Sequence, residues 1–292
     1  MKRVLITGCS SGIGLAAARA FTEAGDVVHA AARSRSSAGA LEEAAEGHAN
    51  LHIHELDVAQ SGGFHDFIAA SVGESGGIDV LVNNAGILPV GAIEDFGESG
   101  LRLAMETNFF GAALLTQAVL PHMRAQKSGY IIMISSLSGI AAKAGDSAYS
   151  ASKFALEGLT EALRHEVARW NIKTALVEPA QYATSMFRAT EAGELGYCAE
   201  GSPYYPLIKS QQDELRGQLS GGRDASLLGD LLVEISRSDG RRFRWPADNV
   251  AQRVTTTMWA QDDAERDRFL RNVAAVDWWV EGRDRPDKDG GQ

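Results

Sequence analysis

The chain reads as an α/β protein, a single domain built on a doubly wound parallel sheet with helices on both faces. Three observations predict this. Short apolar runs alternate with longer segments of helical period, the rhythm of strand–helix–strand units. A glycine-rich turn stands directly after the first run. Two long helical patterns are apolar on more than one face, so each must be covered on both sides. With 292 residues, one large domain with a substantial core is within reach.

Val4, Leu5 and Ile6 form the first strand, ended by Gly8 and Gly12. Residues 13–24 are alanine-rich with helical spacing, and Gly25 stops them. Residues 27–31 make the second strand, and a helix follows over about 38–46. Residues 51–56 alternate as a third strand ending at Asp57, and a helix covers about 63–75. Residues 80–82 run as a strand into Asn83-Asn84-Ala85-Gly86. A long helix is predicted over about 100–124, then a strand over 130–134 that leads to Ser135 and Ser136. A second long helix spans about 148–170, and residues 173–177 form a strand ended by Pro179.

After Pro179 the rhythm breaks. Residues 180–223 carry Met186, Phe187, Tyr197, Tyr204, Tyr205 and Pro206 among several glycines. They are expected to form an irregular lid over a site at the carboxyl ends of the strands. Helices over 227–235 and 249–259 flank a last strand at 242–245. The domain thus runs over 1–282, and the charged, glycine-rich segment 283–292 is expected to be a loose tail.

Thirty-eight acidic against 28 basic side chains leave a net charge of −10, which argues against nucleic acid and anionic membrane surfaces as partners. The two cysteines, Cys9 and Cys198, make neither a disulfide framework nor a metal motif. No apolar run is read as approaching the ~20 residues of a membrane span, and no signal peptide is expected. The cytoplasm is the expected location.

Tyr149 and Lys153 stand at i and i+4 of the second long helix, so they share one face. A lysine ammonium beside a phenol favours the phenolate, so the Tyr149 hydroxyl is expected below its usual value and usable as a proton donor or acceptor near neutrality. Thr7-Gly8-Cys9-Ser10-Ser11-Gly12-Ile13-Gly14 follows a strand and opens a helix, where glycines admit a pyrophosphate against the helix N-terminus. A dinucleotide site beside a tuned phenol points to hydride transfer at a carbonyl. The second strand ends at Ala32 and Arg33, with Arg35 nearby and no acid for a ribose 2′-hydroxyl. Arg33 can hold a 2′-phosphate instead, which favours NADP(H), with NAD(H) remaining possible.

Together these residues resemble the short-chain dehydrogenase/reductase family. The carriers are Thr7-Gly8-x-x-x-Gly12-x-Gly14, Asn83-Asn84-Ala85-Gly86, Asn108, Ser136, Tyr149-x-x-x-Lys153, and Pro179 with Thr184. The resemblance implies a metal-independent alcohol dehydrogenase or carbonyl reductase. It makes Tyr149 the general acid or base and has Ser136 hold the substrate oxygen. Lys153 would bind the nicotinamide ribose and tune Tyr149. Asn108 would hold a water linking Lys153 to solvent. Gly8, Ser10, Ser11, Gly12, Ile13, Gly14, Asp57, Val58, Asn83, Ala85, Gly86, Pro179 and Thr184 would line the cofactor. The family usually has Gly where this chain has Ala180, which adds a methyl near the nicotinamide. An epimerase or dehydratase that keeps its nucleotide, and a nucleotide sensor without turnover, remain alternatives on the same scaffold.

Ser138, Met186, Phe187 and Tyr204 are the expected substrate contacts, and an aromatic lid implies a bulky apolar ketone or secondary alcohol. His52 and His54 face one side of a strand beside Glu55, but no third ligand follows at a metal spacing, so no metal site is expected. Ser135 and Ser136 with His165 lack the nucleophile elbow of a hydrolase. His122 and His165 are expected at a surface or interface. Phe109, Phe110, Leu114 and Leu115 on one long helix, with Phe154, Leu156, Leu159 and Leu163 on the other, suggest a homodimer or homotetramer built through these helices.

Overall fold

The structure, a computed structural model, describes residues 1–187, 190, 192 and 194–286. Most of the expected loose tail, residues 287–292, lies outside the described residues. The strands of the main sheet are β1 (Arg3–Thr7), β2 (Val27–Ala32), β3 (Leu51–Glu55), β4 (Val80–Asn83), β6 (Gly129–Ile134), β7 (Ile172–Glu178) and β9 (Arg244–Pro246). Their order is β3-β2-β1-β4-β6-β7-β9 and every pairing is parallel. The expected doubly wound sheet is therefore present. Two-residue strands β5 (Val90–Gly91) and β8 (Gly196–Tyr197) pair separately.

Successive residues of a strand point to opposite faces, and the core divides accordingly. Val4, Ile6, Val28 and Ala30 pack against α1 (Gly12–Glu23), α2 (Gly39–Ala45) and α8 (Ser226–Arg237) through Phe21, Leu41, Leu228 and Leu232. Leu5, Leu81, Ile131 and Met133 pack on the other face against α3 (Phe64–Ser75), α5 (Gly111–Gln126) and α6 (Ser147–Val167). Both faces being covered explains why the central strands read as continuous apolar runs.

A five-residue π segment, Glu106–Phe110, joins α4 (Glu98–Met105) to α5, so one helix runs over Glu98–Gln126. Its 29 residues include an 18-residue stretch of mean hydropathy 1.2, long and apolar enough to cross a membrane by length and composition, contrary to the sequence expectation. Half of its most apolar stretch is buried inside the protein, and a helix covered on two sides is apolar for that reason alone.

The lid region also differs from expectation. Residues 180–223 contain α7 (Tyr205–Ser220), a sixteen-residue helix, as well as β8. Pro206, one of the residues of the expected irregular segment, sits in the first turn, where a missing N–H leaves no hydrogen bond unmade. Beyond α9 (Asn249–Ala260), two unforeseen helices follow, α10 (Asp263–Val273) and the short α11 (Asp277–Val280).

From β1 the chain builds outward one way through β2 and β3 and the other way through β4, β6, β7 and β9. The crevice beyond the carboxyl ends at that reversal is where ligands bind in such sheets.

Candidate active site

A cavity of about 620 Å³ opens at this crevice. Its floor is the loop after β1, and Ser10, Ser11, Gly12 and Ile13 line it together with Gly8. Gly8 has φ +73°, and a Cβ there would stand 2.8 Å from the Ala85 Cα. Only glycine meets both conditions. The Thr7 hydroxyl accepts from the backbone N–H groups of Asn84 and Ala85 at 3.0 Å each, and Asn84 Nδ2 donates to the Thr7 carbonyl at 2.8 Å. These bonds lock the ends of β1 and β4 together and fix the loop. No side chain caps the first turn of α1, because Ser11 Oγ instead meets Ser185 Oγ at 2.5 Å. The open N–H groups and the dipole end suit a pyrophosphate.

Arg33, Ser37, Asp57 and Val58 line the far end of the cavity. Ala32, the last residue of β2, is buried and offers no carboxylate. Arg35 turns away and donates to the Ile53 carbonyl at 3.2 Å. The cradle, the uncapped helix and this end together fit a dinucleotide.

The opposite wall gathers the expected catalytic side chains. Helix α6 places Tyr149 and Lys153 one turn apart, both buried, and the loop after β6 brings up Ser136, whose Oγ accepts from Ser138 N–H at 3.1 Å. Ser136, Ser138, Tyr149 and Lys153 all line the same cavity. Ser138 Oγ donates to Asp146 Oδ2 at 3.3 Å. Lys153 Nζ lies 5.8 Å from the Tyr149 ring centroid and donates to the Ile134 carbonyl at 2.8 Å.

The expected tuning of Tyr149 is corrected. Burial pushes its hydroxyl up to about 12; the hydrogen bond with Ser136 favours ionisation, and the Asp146 charge opposes it. Desolvation leads, and the Lys153 ammonium, which donates to the Ile134 carbonyl, is not among the groups that set the phenol's value. Burial pushes Lys153 itself down to about 8, against the pull of Glu157. The site holds a neutral phenol, ready to donate a proton.

Ala85, Gly86, Pro179, Ala180, Thr184 and Met186 also line the cavity. Five expected site residues do not. Gly14 packs behind the loop, where a Cβ would collide with the Gly8 carbonyl oxygen, so it brings helix and loop together rather than touching a ligand. Asn83 is buried and donates to Thr116 Oγ1 at 2.9 Å, leaving the cavity to Asn84. Asn108 sits in the π segment; its Nδ2 donates to the Ile87 carbonyl and to Ser152 Oγ, and its Oδ1 accepts from Ile87 N–H at 2.8 Å. That side chain pegs the loop after β4 to α6. Phe187 is buried behind the cavity wall in an apolar cluster with Leu207, Ile208 and Tyr149, and Tyr204 donates to Glu94 Oε2 at 2.8 Å outside the cavity. His165 is exposed on α6, away from Ser136 and the cavity lining.

Sequence reasoning missed the apolar wall made by Leu215 of α7, Val254 of α9, and Phe269, Leu270 and Val273 of α10. A signal for α10 existed: Asp262 and Glu265 form a capping box, a pattern readable in sequence.

The family model described as "short chain dehydrogenase" matches residues 2–195. An uncharacterized oxidoreductase, YusZ, of Bacillus subtilis is 35% identical over 251 residues, covering 84% of this chain and 88% of its own. A 3-ketodihydrosphingosine reductase of Bacteroides thetaiotaomicron is 38% identical over 192 residues, covering 66% and 68%. The crystal structure of a short-chain dehydrogenase from Streptomyces avermitilis superposes with TM-score 0.76 at 32% identity, covering 97% and 98%. Further solved structures of this fold carry NAD or NADP.

Proposed function

The chain belongs to the short chain dehydrogenase family, and from that premise we propose that it reduces an apolar ketone with NADPH as hydride donor, and runs the reverse oxidation when the nucleotide pool favours it. Oxidoreductase chemistry between CH–OH and C=O with a nicotinamide dinucleotide follows from the family. The observation that carries the rest is one cavity that joins a glycine cradle, a neutral buried phenol and an apolar wall.

A bound nicotinamide supplies the hydride. Ser136 Oγ–H and Tyr149 Oη–H both donate toward the carbonyl oxygen, where negative charge grows as the carbon accepts that hydride. Tyr149 gives up its proton to this oxygen, and the alcohol is complete. Lys153, charged below about pH 8, favours the phenolate that remains until solvent reprotonates it. Asn108 keeps the cofactor-side loop and α6 in register through Ile87 and Ser152.

NADPH preference rests on Arg33 in the cavity wall and on Ala32 where an acid would repel a 2′-phosphate. The apolar substrate rests on Leu88, Leu195, Leu215, Val254, Phe269 and Leu270, and a relative named for a sphingoid ketone points the same way. We further propose an even-numbered homo-oligomer, because Phe110 in the π segment and Phe154 on α6 are 40% and 44% exposed. Light scattering that gives only a monomer at micromolar concentration refutes this. A cytoplasmic location is proposed from composition alone. The decisive assay follows reduced-nicotinamide absorbance with NADPH and NADH against long-chain alkyl ketones and small polar ketoses. Turnover confined to the ketoses, or faster with NADH throughout, overturns the proposal.

A further inference from the structure

No metal site was expected from His52 and His54, because no third ligand follows in sequence. The fold supplies one from elsewhere. His29 on β2 lies beside β3, and Glu74 reaches the same point from the last turn of α3. His29 Nδ1 and His54 Nε2 are 2.9 Å apart, and Glu74 Oε2 lies 3.6 Å from the first and 3.8 Å from the second. None of the three lines the active-site cavity.

We propose that His29, His54 and Glu74 form a binding site for a divalent cation of borderline softness, Zn²⁺ above all, on the sheet edge outside the active site. Two ligand atoms bound tetrahedrally to zinc at about 2.0–2.1 Å are separated by about 3.3–3.4 Å. The three observed separations bracket that value, so a shift of a few tenths of an ångström seats an ion. Two imidazoles and one carboxylate, with water in the fourth position, are an ordinary zinc set. His29 is fully buried and stacked on His52 at 5.2 Å, and His54 is braced by the Phe67 edge at 5.5 Å. Two of the three ligands are thus held in place before any ion arrives. Glu74, half exposed, leaves the way in from solvent open.

The protonation states agree with this. Burial, then the neighbouring His54 and His52, hold His29 down at about 4, so it presents a neutral imidazole at pH 7. Burial also lowers His54, while Glu74 pulls the other way. The present 2.9 Å contact is an N–H···N hydrogen bond. When the ion enters, the shared proton leaves that nitrogen for the other nitrogen of its own ring; His29 Nε2 has no hydrogen-bond partner among the described residues and so is free to take it. The bound ion would clip edge strand β3 to β2 and α3.

The test uses the full-length chain without a polyhistidine tag, stripped with EDTA, dialysed and titrated calorimetrically with ZnCl₂. Expected are one Zn²⁺ per chain and a melting temperature that rises with Zn²⁺ concentration. Glu74→Gln and His54→Gln, at solvent-accessible positions, should each weaken binding by about ten-fold or more, while His122→Gln keeps the parental affinity. Melting in EDTA shows whether each variant is folded. Co²⁺ should give visible bands of a tetrahedral nitrogen–oxygen site in the parent and lose them in E74Q. Parental affinity in E74Q and H54Q, or no uptake by the parent in the micromolar range, overturns the proposal.

Discussion

Replacing Lys153 by methionine should abolish turnover and raise thermal stability. The buried ammonium is the reason. Burial moves Lys153 from its ordinary 10.5 down to about 8, chiefly by desolvation. At about 1.4 kcal/mol per pH step, that gap makes the charged form ~3 kcal/mol dearer in the folded protein than in the unfolded chain. Methionine fills similar volume without charge but leaves the Ile134 carbonyl without its 2.8 Å donor, a loss of about 1–3 kcal/mol. The net gain at pH 7 is about 0–2 kcal/mol, or up to roughly 8 °C in melting temperature for a chain of this size. The pH dependence is the sharper readout. A base whose folded value is depressed is more protonated when unfolded, so the parent gains stability as pH rises from about 8 to 10.5. The variant's advantage is therefore full below pH 8 and fades by 10.5. The assay is differential scanning calorimetry without cofactor at pH 7 and pH 10.5. A variant that melts below the parent at both pH values by the same margin refutes the desolvation argument.

Tyr149 stays protonated through the working range, so the alkaline limb of ketone reduction should fall near pH 8 as Lys153 loses its proton, and Tyr149→Phe should cost about 10²–10⁴ in kcat while NADPH affinity by fluorescence stays near parental. A limb near pH 10, or parental reduction in the variant, contradicts this assignment. Arg33→Ala should weaken NADPH by ~1.5–3 kcal/mol, about 10–150-fold, and leave NADH unchanged; equal losses for both nucleotides would remove Arg33 from any role in 2′-phosphate binding.

Much of the fold was legible because its signals are local. Glycines at fixed offsets, the Asn83–Gly86 turn and apolar runs bounded by breakers report backbone needs that neighbouring residues must satisfy. Tyr149 and Lys153 share a face by helix geometry alone, and the structure keeps them there. Helix α7 was missed for the same local reason: Pro206 and nearby glycines suggest a loop, yet a proline in a helix's first turn interrupts nothing. Asn83 and Asn84 are neighbours in sequence, but the strand pleat sends one into the core toward Thr116 and the other to Thr7 and Gly8.

The amino-acid sequence by itself determined the strand–helix rhythm, the cradle and the choice of Tyr149 as the proposed proton donor, since each is written in spacings of a few residues. Only the tertiary structure decided the proton affinity of that donor, the apolar wall from α7, α9 and α10, and the meeting of His29, His54 and Glu74. Burial and long-range contact are properties of how distant segments pack, and desolvation acts on a side chain only once the rest of the chain has closed around it.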